Sequence, residues 1–173
     1  MKAKLVIATS VGLAIAVMAW VSVDSRALAS NASDKAEIVS LNQRLTEAMN
    51  GKDLNAMMAC YVNDEDAVFF VDTIPFEVKG TSAWRKINQE FFGSASQVHM
   101  GIEAIVVVVS GDLAATHSVV PLTSWTDKNG AHTERGRYTQ VLKKVGGKWL
   151  IWHEHFSVPY DPATGKAVLE ASP

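Results

Sequence analysis

The sequence predicts an α+β domain in which helices gather on one face of a strongly curved antiparallel sheet. Segments with helical spacing occupy the first half of the chain, and long β-prone runs occupy the second half. Two of those runs, 135–144 and 148–158, meet at Gly146-Gly147, which favours a hairpin. Helices segregated from an antiparallel sheet define the α+β class. A bent sheet wrapped over a long helix leaves a conical pocket with one closed end.

The N-terminal segment predicts export. Lys2 and Lys4 precede an almost wholly apolar run, residues 5–23, and Ala27-Leu28-Ala29 fits a small-residue cleavage site. We therefore expect a signal peptide over residues 1–29, cleavage after Ala29, and a single domain over residues 30–173. The mature protein would be periplasmic or secreted, without membrane contact. The alternative is an uncleaved anchor, because the apolar run is long enough to span a bilayer.

Composition excludes some partners. The formal net charge is −2 and no basic run occurs, so nucleic acid is not an expected partner. Cys60 is the only cysteine, which rules out an internal disulfide. It stands beside Met57, Met58 and Tyr61, a setting typical of a buried thiol.

Three helices are predicted before the main strands. Asp34 is positioned to cap the first, with Glu37 three residues later, and Asn50-Gly51 ends it. Its apolar positions recur at helical spacing: Ile38, Leu41, Leu45, Ala48 and Met49. Asp53 caps a second, shorter helix, and Thr81 caps a third that ends at Gly93. A strand over residues 67–71 lies between them and ends at Asp72.

Four long antiparallel strands are predicted in the second half. Residues 102–109 are apolar on both faces, which indicates a central strand. Residues 113–125 form the next, where Pro121 requires a bulge or a free edge. Asn129-Gly130 then turns the chain into the hairpin of residues 131–158.

Three segments carry a family resemblance. The first is Asn50-Gly51-Lys52-Asp53-Leu54 followed by Tyr61, and the second runs from residues 66–70 to Gly80 and the helix of residues 84–92. The third comprises residues 138–142, Gly147-Lys148-Trp149 and residues 153–159. Together they resemble the SnoaL-like, ketosteroid-isomerase-like branch of the nuclear transport factor 2-like superfamily. The third is also similar to the end of the association domain of calcium/calmodulin-dependent protein kinase II.

The resemblance implies the conical fold of that superfamily, with three N-terminal helices packed on a curved sheet around a pocket. It implies less about activity, because this fold serves enzymes, binding proteins and oligomerisation modules. Ketosteroid isomerases use an Asp base with a Tyr and a protonated Asp as donors. Asp72 matches the base, but Leu45 occupies the Tyr position and residues 135–144 contain no acid. These departures argue against steroid isomerisation by that route.

The last strand carries a histidine pair. His153 and His155 share a face with Trp149 and Ile151, whereas Trp152, Glu154 and Phe156 take the other. Trp149 and Ile151 favour the odd-numbered face as the one that lines the cavity. The resemblance to the kinase association domain favours the even-numbered face, because its pocket residue matches Phe156. Three roles stay open for the histidines: hydrogen bonding within the fold, acid/base chemistry in the pocket, or metal ligation with a third residue such as His117, His99 or Asp72.

The candidate catalytic residues are Asp72, His153 and His155. Asp72 also suits a simple turn at the end of a strand. Tyr61 and Tyr138 are the candidate proton donors. The predicted binding residues are mainly aromatic: Tyr61, Phe70, Trp84, Trp125, Tyr138, Gln140 and Trp152. We predict no metal and no cofactor, since the sequence has no phosphate loop or nucleotide motif.

Two functions follow as hypotheses. The first is an exported pocket protein that binds a small, mostly apolar molecule with a polar end, as a homodimer, with or without cofactor-independent isomerase, dehydratase or hydrolase chemistry. The second is a non-catalytic association module that forms homo-oligomers. The sequence does not decide whether the protein is an enzyme.

Overall fold

The computed structural model describes residues 31–169, so the predicted signal peptide lies outside the described residues. Helix α1 covers residues 31–50, α2 spans Leu54–Met58 and α3 spans Thr81–Ser94. The strands are β1 Val68–Phe70, β2 Val78–Lys79, β3 Gln97–Met100, β4 Val106–Ser110, β5 Leu113–Asp127, β6 Gly130–Val145, β7 Lys148–Ser157, β8 Tyr160–Asp161 and β9 Lys166–Ala167. None of the helices within residues 31–169 is both long and apolar enough to cross a membrane.

Seven strands form one curved sheet, in the order β2-β1-β7-β6-β5-β3, with β4 also paired to β5. The long strands β5, β6 and β7 are antiparallel neighbours, whereas β1 runs parallel to β7. Strands β8 and β9 form a separate two-stranded ribbon. The helices and a curved sheet confirm the predicted α+β class, but the sheet is mixed, because the chain reaches β1 from α2 rather than through a hairpin.

Two register shifts bend the long strands. One lies in β5 between Val120 and Thr123, the interval that contains Pro121, as expected for a residue that cannot donate to the ladder. The other lies between β6 and β7, where Val141 pairs with His153 and Leu142 pairs with Ile151. Trp152 is therefore the extra residue of a β-bulge, which the alternation of the sequence did not reveal.

Helix α1 packs its apolar stripe into the concave face of the sheet, where Ile38, Leu41 and Leu45 are buried. Asp34 fixes its first turns, accepting hydrogen bonds from Lys144 Nζ and from Trp149 Nε1, the latter at 3.0 Å. Glu37 Oε1 accepts from the Trp149 backbone N–H at 3.1 Å. The start of α1 is thus tied to β7 at the closed end of the cone.

Several sequence predictions about the helices need correction. Asp34 is not a cap, because α1 is already helical at residue 31 and the carboxylate contacts the sheet instead. Thr81 does not cap α3: Gly80 holds the N-cap position, and Thr81 Oγ1 donates to the Val62 carbonyl at 2.8 Å. Asp53 does cap α2, accepting from the Ala56 N–H at 2.9 Å.

The predicted central strand over residues 102–109 is also wrong. Strand β4 covers only Val106–Ser110 and pairs with β5 alone, at the edge of the sheet. Its apolar run is partly exposed, with Val108 at 60%. A run of valines is expected both in a central strand, which is buried on two faces, and in an edge strand with one open face. The sequence pattern therefore does not distinguish these two positions.

Candidate active site

A cavity of about 390 Å³ opens between α1, α3 and the concave face of the sheet. Its apolar wall includes Met49 and Met57 and a set of six aromatic rings: Tyr61, Trp84, Phe91, Trp125, Tyr138 and Phe156. Four carboxyl groups also line it: Asp72, Asp127, Glu134 and Glu154. A cavity of this size, mostly apolar with a few converging polar groups, is the usual form of a small-molecule site.

Glu154 is the most buried of these acids. It projects inward from β7 and is only 6% exposed. Its Oε2 accepts hydrogen bonds from the Tyr61 hydroxyl at 2.8 Å and from the Tyr138 hydroxyl. The parallel pairing of β1 with β7 places Phe69 beside Glu154, and β6 places Gln140 on its other side. Two strands and the end of α2 therefore position one carboxyl group.

Burial dominates the acid–base properties of this cluster. Desolvation raises the pKa of Glu154 to about 7, although the hydrogen bonds from Tyr138 and Tyr61 act in the opposite direction. Burial and the neighbouring Glu154 raise the pKa of both tyrosines well above the ordinary value, so the hydroxyls stay protonated. The carboxyl group can thus gain or lose a proton near neutral pH while the tyrosines only donate.

A buried series of hydrogen bonds holds the Tyr138 hydroxyl in place. Gln140 Nε2 donates to the Tyr138 hydroxyl oxygen at 3.3 Å, and Thr116 Oγ1 donates to Gln140 Oε1 at 2.9 Å. Gln140 and Thr116 are almost fully buried. Because Gln140 on the same strand holds the Tyr138 hydroxyl and is itself held by Thr116 on β5, the hydroxyl has little freedom to turn away from Glu154.

A pair of carboxyl groups lies on another part of the cavity wall. Glu134, on the inner face of β6, and the exposed Asp72, which follows β1, both line the cavity, and their carboxyl groups interact. Desolvation and the charge of Asp72 raise the pKa of Glu134 to about 8. Because the charge of Asp72 disfavours a second negative charge beside it, Glu134 keeps its proton to a higher pH than an ordinary glutamic acid.

Two further groups complete the wall. Trp84 lines the cavity next to the Tyr61 ring, and its buried Nε1 makes no hydrogen bond of good geometry with any described residue. At the end of the β5–β6 hairpin, Asp127 Oδ1 contacts His132 Nε2 at 3.0 Å, and His132 stacks on Trp125. That hydrogen bond lowers the pKa of Asp127.

The structure brings together five of the residues selected from the sequence. Tyr61, Asp72, Trp84, Trp125 and Tyr138 all line the cavity. Gln140 lies behind Tyr138 and acts on the cavity only through that hydroxyl. Their roles in binding or catalysis stay predictions.

His153 and His155 do not line the cavity, so the preference for the odd-numbered face is wrong beyond Trp152. Trp149 and Ile151 do face inward, but the bulge at Trp152 reverses the alternation and turns Glu154 and Phe156 inward. His153 Nδ1 instead contacts the Val68 carbonyl at 2.6 Å, and His155 is exposed.

Phe70 and Trp152 also lie outside the cavity lining. Phe70 packs edge-on against both histidines on the other side of the sheet. Trp152 Nε1 donates to Asp64 Oδ2 at 3.0 Å, and Lys143 Nζ lies 3.4 Å from the centroid of its ring. Within residues 31–169 no group of three or more His, Cys, Asp or Glu side chains could hold a metal ion.

The sequence reasoning missed the two acids with raised pKa. The preference for the odd-numbered face places Glu154 outward, because strict alternation does not locate the bulge at Trp152. Residues 135–144 contain no acid, and Glu134 comes directly before them in the sequence. Strict alternation outward from Tyr138 along β6 places Glu134 on the same face as Tyr138, and that signal was available in the sequence.

A curved sheet closed by helices around an acidic, aromatic cavity defines a pocket protein of the nuclear transport factor 2-like class. The family model described as SnoaL-like domain matches residues 38–161, so the chain belongs to the SnoaL-like family. No curated protein matches the chain.

Solved structures agree on the fold. A nuclear transport factor 2-like protein of unknown function from Pseudomonas putida is 27% identical, with a TM-score of 0.69, covering 82% of this chain and 97% of that one. A proposed scytalone dehydratase from Novosphingobium aromaticivorans is 19% identical, with a TM-score of 0.66 and coverages of 75% and 86%. A proposed calcium/calmodulin-dependent protein kinase II association domain from Xanthomonas campestris is 24% identical, with a TM-score of 0.59 and coverages of 70% and 84%.

Proposed function

We propose that this protein binds a small, mostly apolar organic molecule in the cavity and transfers a proton on it without a cofactor, in an isomerase, dehydratase or hydrolase type of reaction. The observation that carries the proposal is the Glu134–Asp72 carboxyl pair on the wall of an aromatic cavity. The structural likeness to a proposed dehydratase agrees with this reaction class.

The pair has the properties of a general base. The raised pKa of Glu134 brings its basicity close to neutral pH, where a base combines sufficient strength with sufficient ionisation. A mostly apolar molecule bound against the aromatic wall would displace water from Glu134, which would strengthen electrostatic effects there. The Tyr61–Tyr138–Glu154 cluster supplies donors for the polar end of the bound molecule.

A carbon acid of suitable size tests this base. In 5-nitrobenzisoxazole, removal of the ring C–H proton breaks the N–O bond and releases a coloured phenolate, so the rate reports proton abstraction alone. We expect saturable catalysis whose kcat rises with pH and levels off above about 8, following Glu134. Glu134→Gln and Asp72→Asn should each lower kcat by about 10²-fold or more.

Glu103→Gln is the matched control, because Glu103 is exposed and outside the cavity lining. Its kcat should equal that of the wild type. If both cavity variants stay within tenfold of this control, the pair is not the base. Circular dichroism of each variant separates a chemical effect from loss of the fold.

Export and dimer formation are part of the same proposal. The signal peptide over residues 1–29 would deliver the domain to the periplasm or the exterior. Fractionation of cells of the source organism tests the location, and the mass of the purified protein shows whether cleavage follows Ala29. Retention of the full-length chain in the cytoplasm would contradict it.

A second candidate function, the association module, is favoured by one observation. The outer face of β4 and β5 exposes apolar side chains, namely Val106, Val108, Leu113 and Val119. A second copy of the chain would cover this face. Sedimentation of Val108→Asp tests this, with Phe76→Asp in a distant exposed loop as the control. A dimer lost only in Val108→Asp supports the interface; a monomeric wild type overturns it.

A further inference from the structure

The charge of the cavity wall is one-sided. The cavity is lined by four carboxyl groups, and none of the described residues that line it is Lys, Arg or His. The formal charge of the whole chain is only −2, so this asymmetry belongs to the cavity rather than to the protein. An anionic ligand would meet repulsion here.

The aromatic rings around Glu154 also favour a cationic ligand. Tyr61 and Tyr138 contact its carboxyl group directly, Trp84 lies 6.1 Å from Tyr61 between ring centroids, and Phe156 lies 6.5 Å from Tyr138. Aromatic faces attract organic cations, and the attraction grows when the site is dry. When Glu154 is ionised, two tyrosine hydroxyls donate to it, but none of the described residues that line the cavity supplies a positive charge.

A further unsatisfied group points to a bound molecule. Trp84 is 5% exposed and lines the cavity; its Nε1–H interacts with the Tyr61 hydroxyl, but it makes no hydrogen bond of good geometry in the described part of the chain. Buried donors are normally paired. An oxygen atom of a ligand would satisfy this one.

We propose that the ligand is a small organic ammonium compound, aromatic or alicyclic, that also carries a hydroxyl or carbonyl oxygen. The ammonium group lies against Glu154 and the surrounding rings, and the oxygen accepts from Trp84. This inference rests on the proposed function only in requiring that the cavity bind a small molecule, and it specifies the charge of that molecule.

Three probes of nearly one shape isolate the charge. They are 4-hydroxyphenyltrimethylammonium (positive), 4-tert-butylphenol (neutral) and 4-hydroxybenzenesulfonate (negative), each with a phenolic oxygen. Calorimetry at pH 7.5, above the pKa of about 7 that burial gives Glu154 and where the phenols stay mostly protonated, measures their affinities. We expect the cation to bind at least tenfold more tightly than the neutral probe, and the anion more weakly than both.

Glu154→Gln tests the assigned position, with Glu103→Gln as the control. In Glu154→Gln the preference for the cation should fall below threefold while the affinity for 4-tert-butylphenol stays within threefold, which also shows that the cavity has kept its shape. Neutral binding equal to or tighter than cation binding in the wild type overturns the inference but leaves the proposed function standing. Absence of binding by the cation and the neutral probe overturns both, and a preference unchanged in Glu154→Gln overturns the assignment to Glu154.

Discussion

Glu154 shows how one buried side chain contributes to the pH response of the protein. Its pKa is about 7 in the folded chain and near the ordinary 4.5 in the unfolded chain. Between these values the folded state holds a proton that the unfolded state has lost, so stability falls as pH rises. A change from pH 4.5 to above 7 therefore removes about 3 kcal/mol of the free energy of unfolding.

Replacing Glu154 by Gln should remove this dependence. Gln cannot ionise, so we expect the loss of stability between pH 5 and pH 8 to be smaller by about 2–3 kcal/mol in Glu154→Gln than in the wild type. Urea unfolding at both pH values measures it. Glu90→Gln, on the exposed side of α3, should keep the wild-type slope. Equal slopes in all three proteins would mean that Glu154 is ionised in the fold.

Glu154 also shows why the site was only partly predictable. Tyr61, Trp84 and Tyr138 were found because large aromatic residues with a polar atom suit a cavity wall, whatever the local register. The inward position of Glu154 depends on the bulge at Trp152, which follows from how β6 and β7 pair rather than from the composition of β7.

At the scale of elements, β7 leaves no room for a side chain at Gly136 of β6, beside the cavity. A Cβ on Gly136 would collide with the Phe156 ring and would lie 2.8 Å from the Ser157 carbonyl oxygen. The ring is a side chain and can turn, but the carbonyl belongs to the paired strand. Gly136 is therefore required by this contact, which keeps Phe156 on the cavity wall.

Gly136→Ala should lower the free energy of unfolding by about 1–3 kcal/mol, because the strands must separate locally to admit the methyl group. Gly93→Ala is the matched control: Gly93 lies in α3 with nothing within 4 Å of the added Cβ, so stabilisation of about 0.5–1 kcal/mol is expected. Thermal or urea unfolding gives both values. Equal effects of the two substitutions would contradict the close approach.

At the scale of the whole molecule, the class and the order of the main elements were predictable, but the short strands β2, β8 and β9 and some pairings were not. Helical spacing identified α1 and α3, and Asn129-Gly130 and Gly146-Gly147 placed the two long hairpins. The parallel contact of β1 with β7 and the edge position of β4 arise from tertiary packing, which local patterns do not encode. The family resemblance supplied the cone that these pairings build, and the SnoaL-like match bears it out.

The central claim is that this cavity holds a small molecule, and native mass spectrometry of the protein purified from its source tests it most directly. Ile87→Trp fills the cavity from α3, whereas Lys86→Trp adds the same ring on the exposed side. We predict one additional mass of a small organic molecule on the wild type and on Lys86→Trp, and none on Ile87→Trp. No bound mass on any of the three, or the same mass on all three, would contradict the claim.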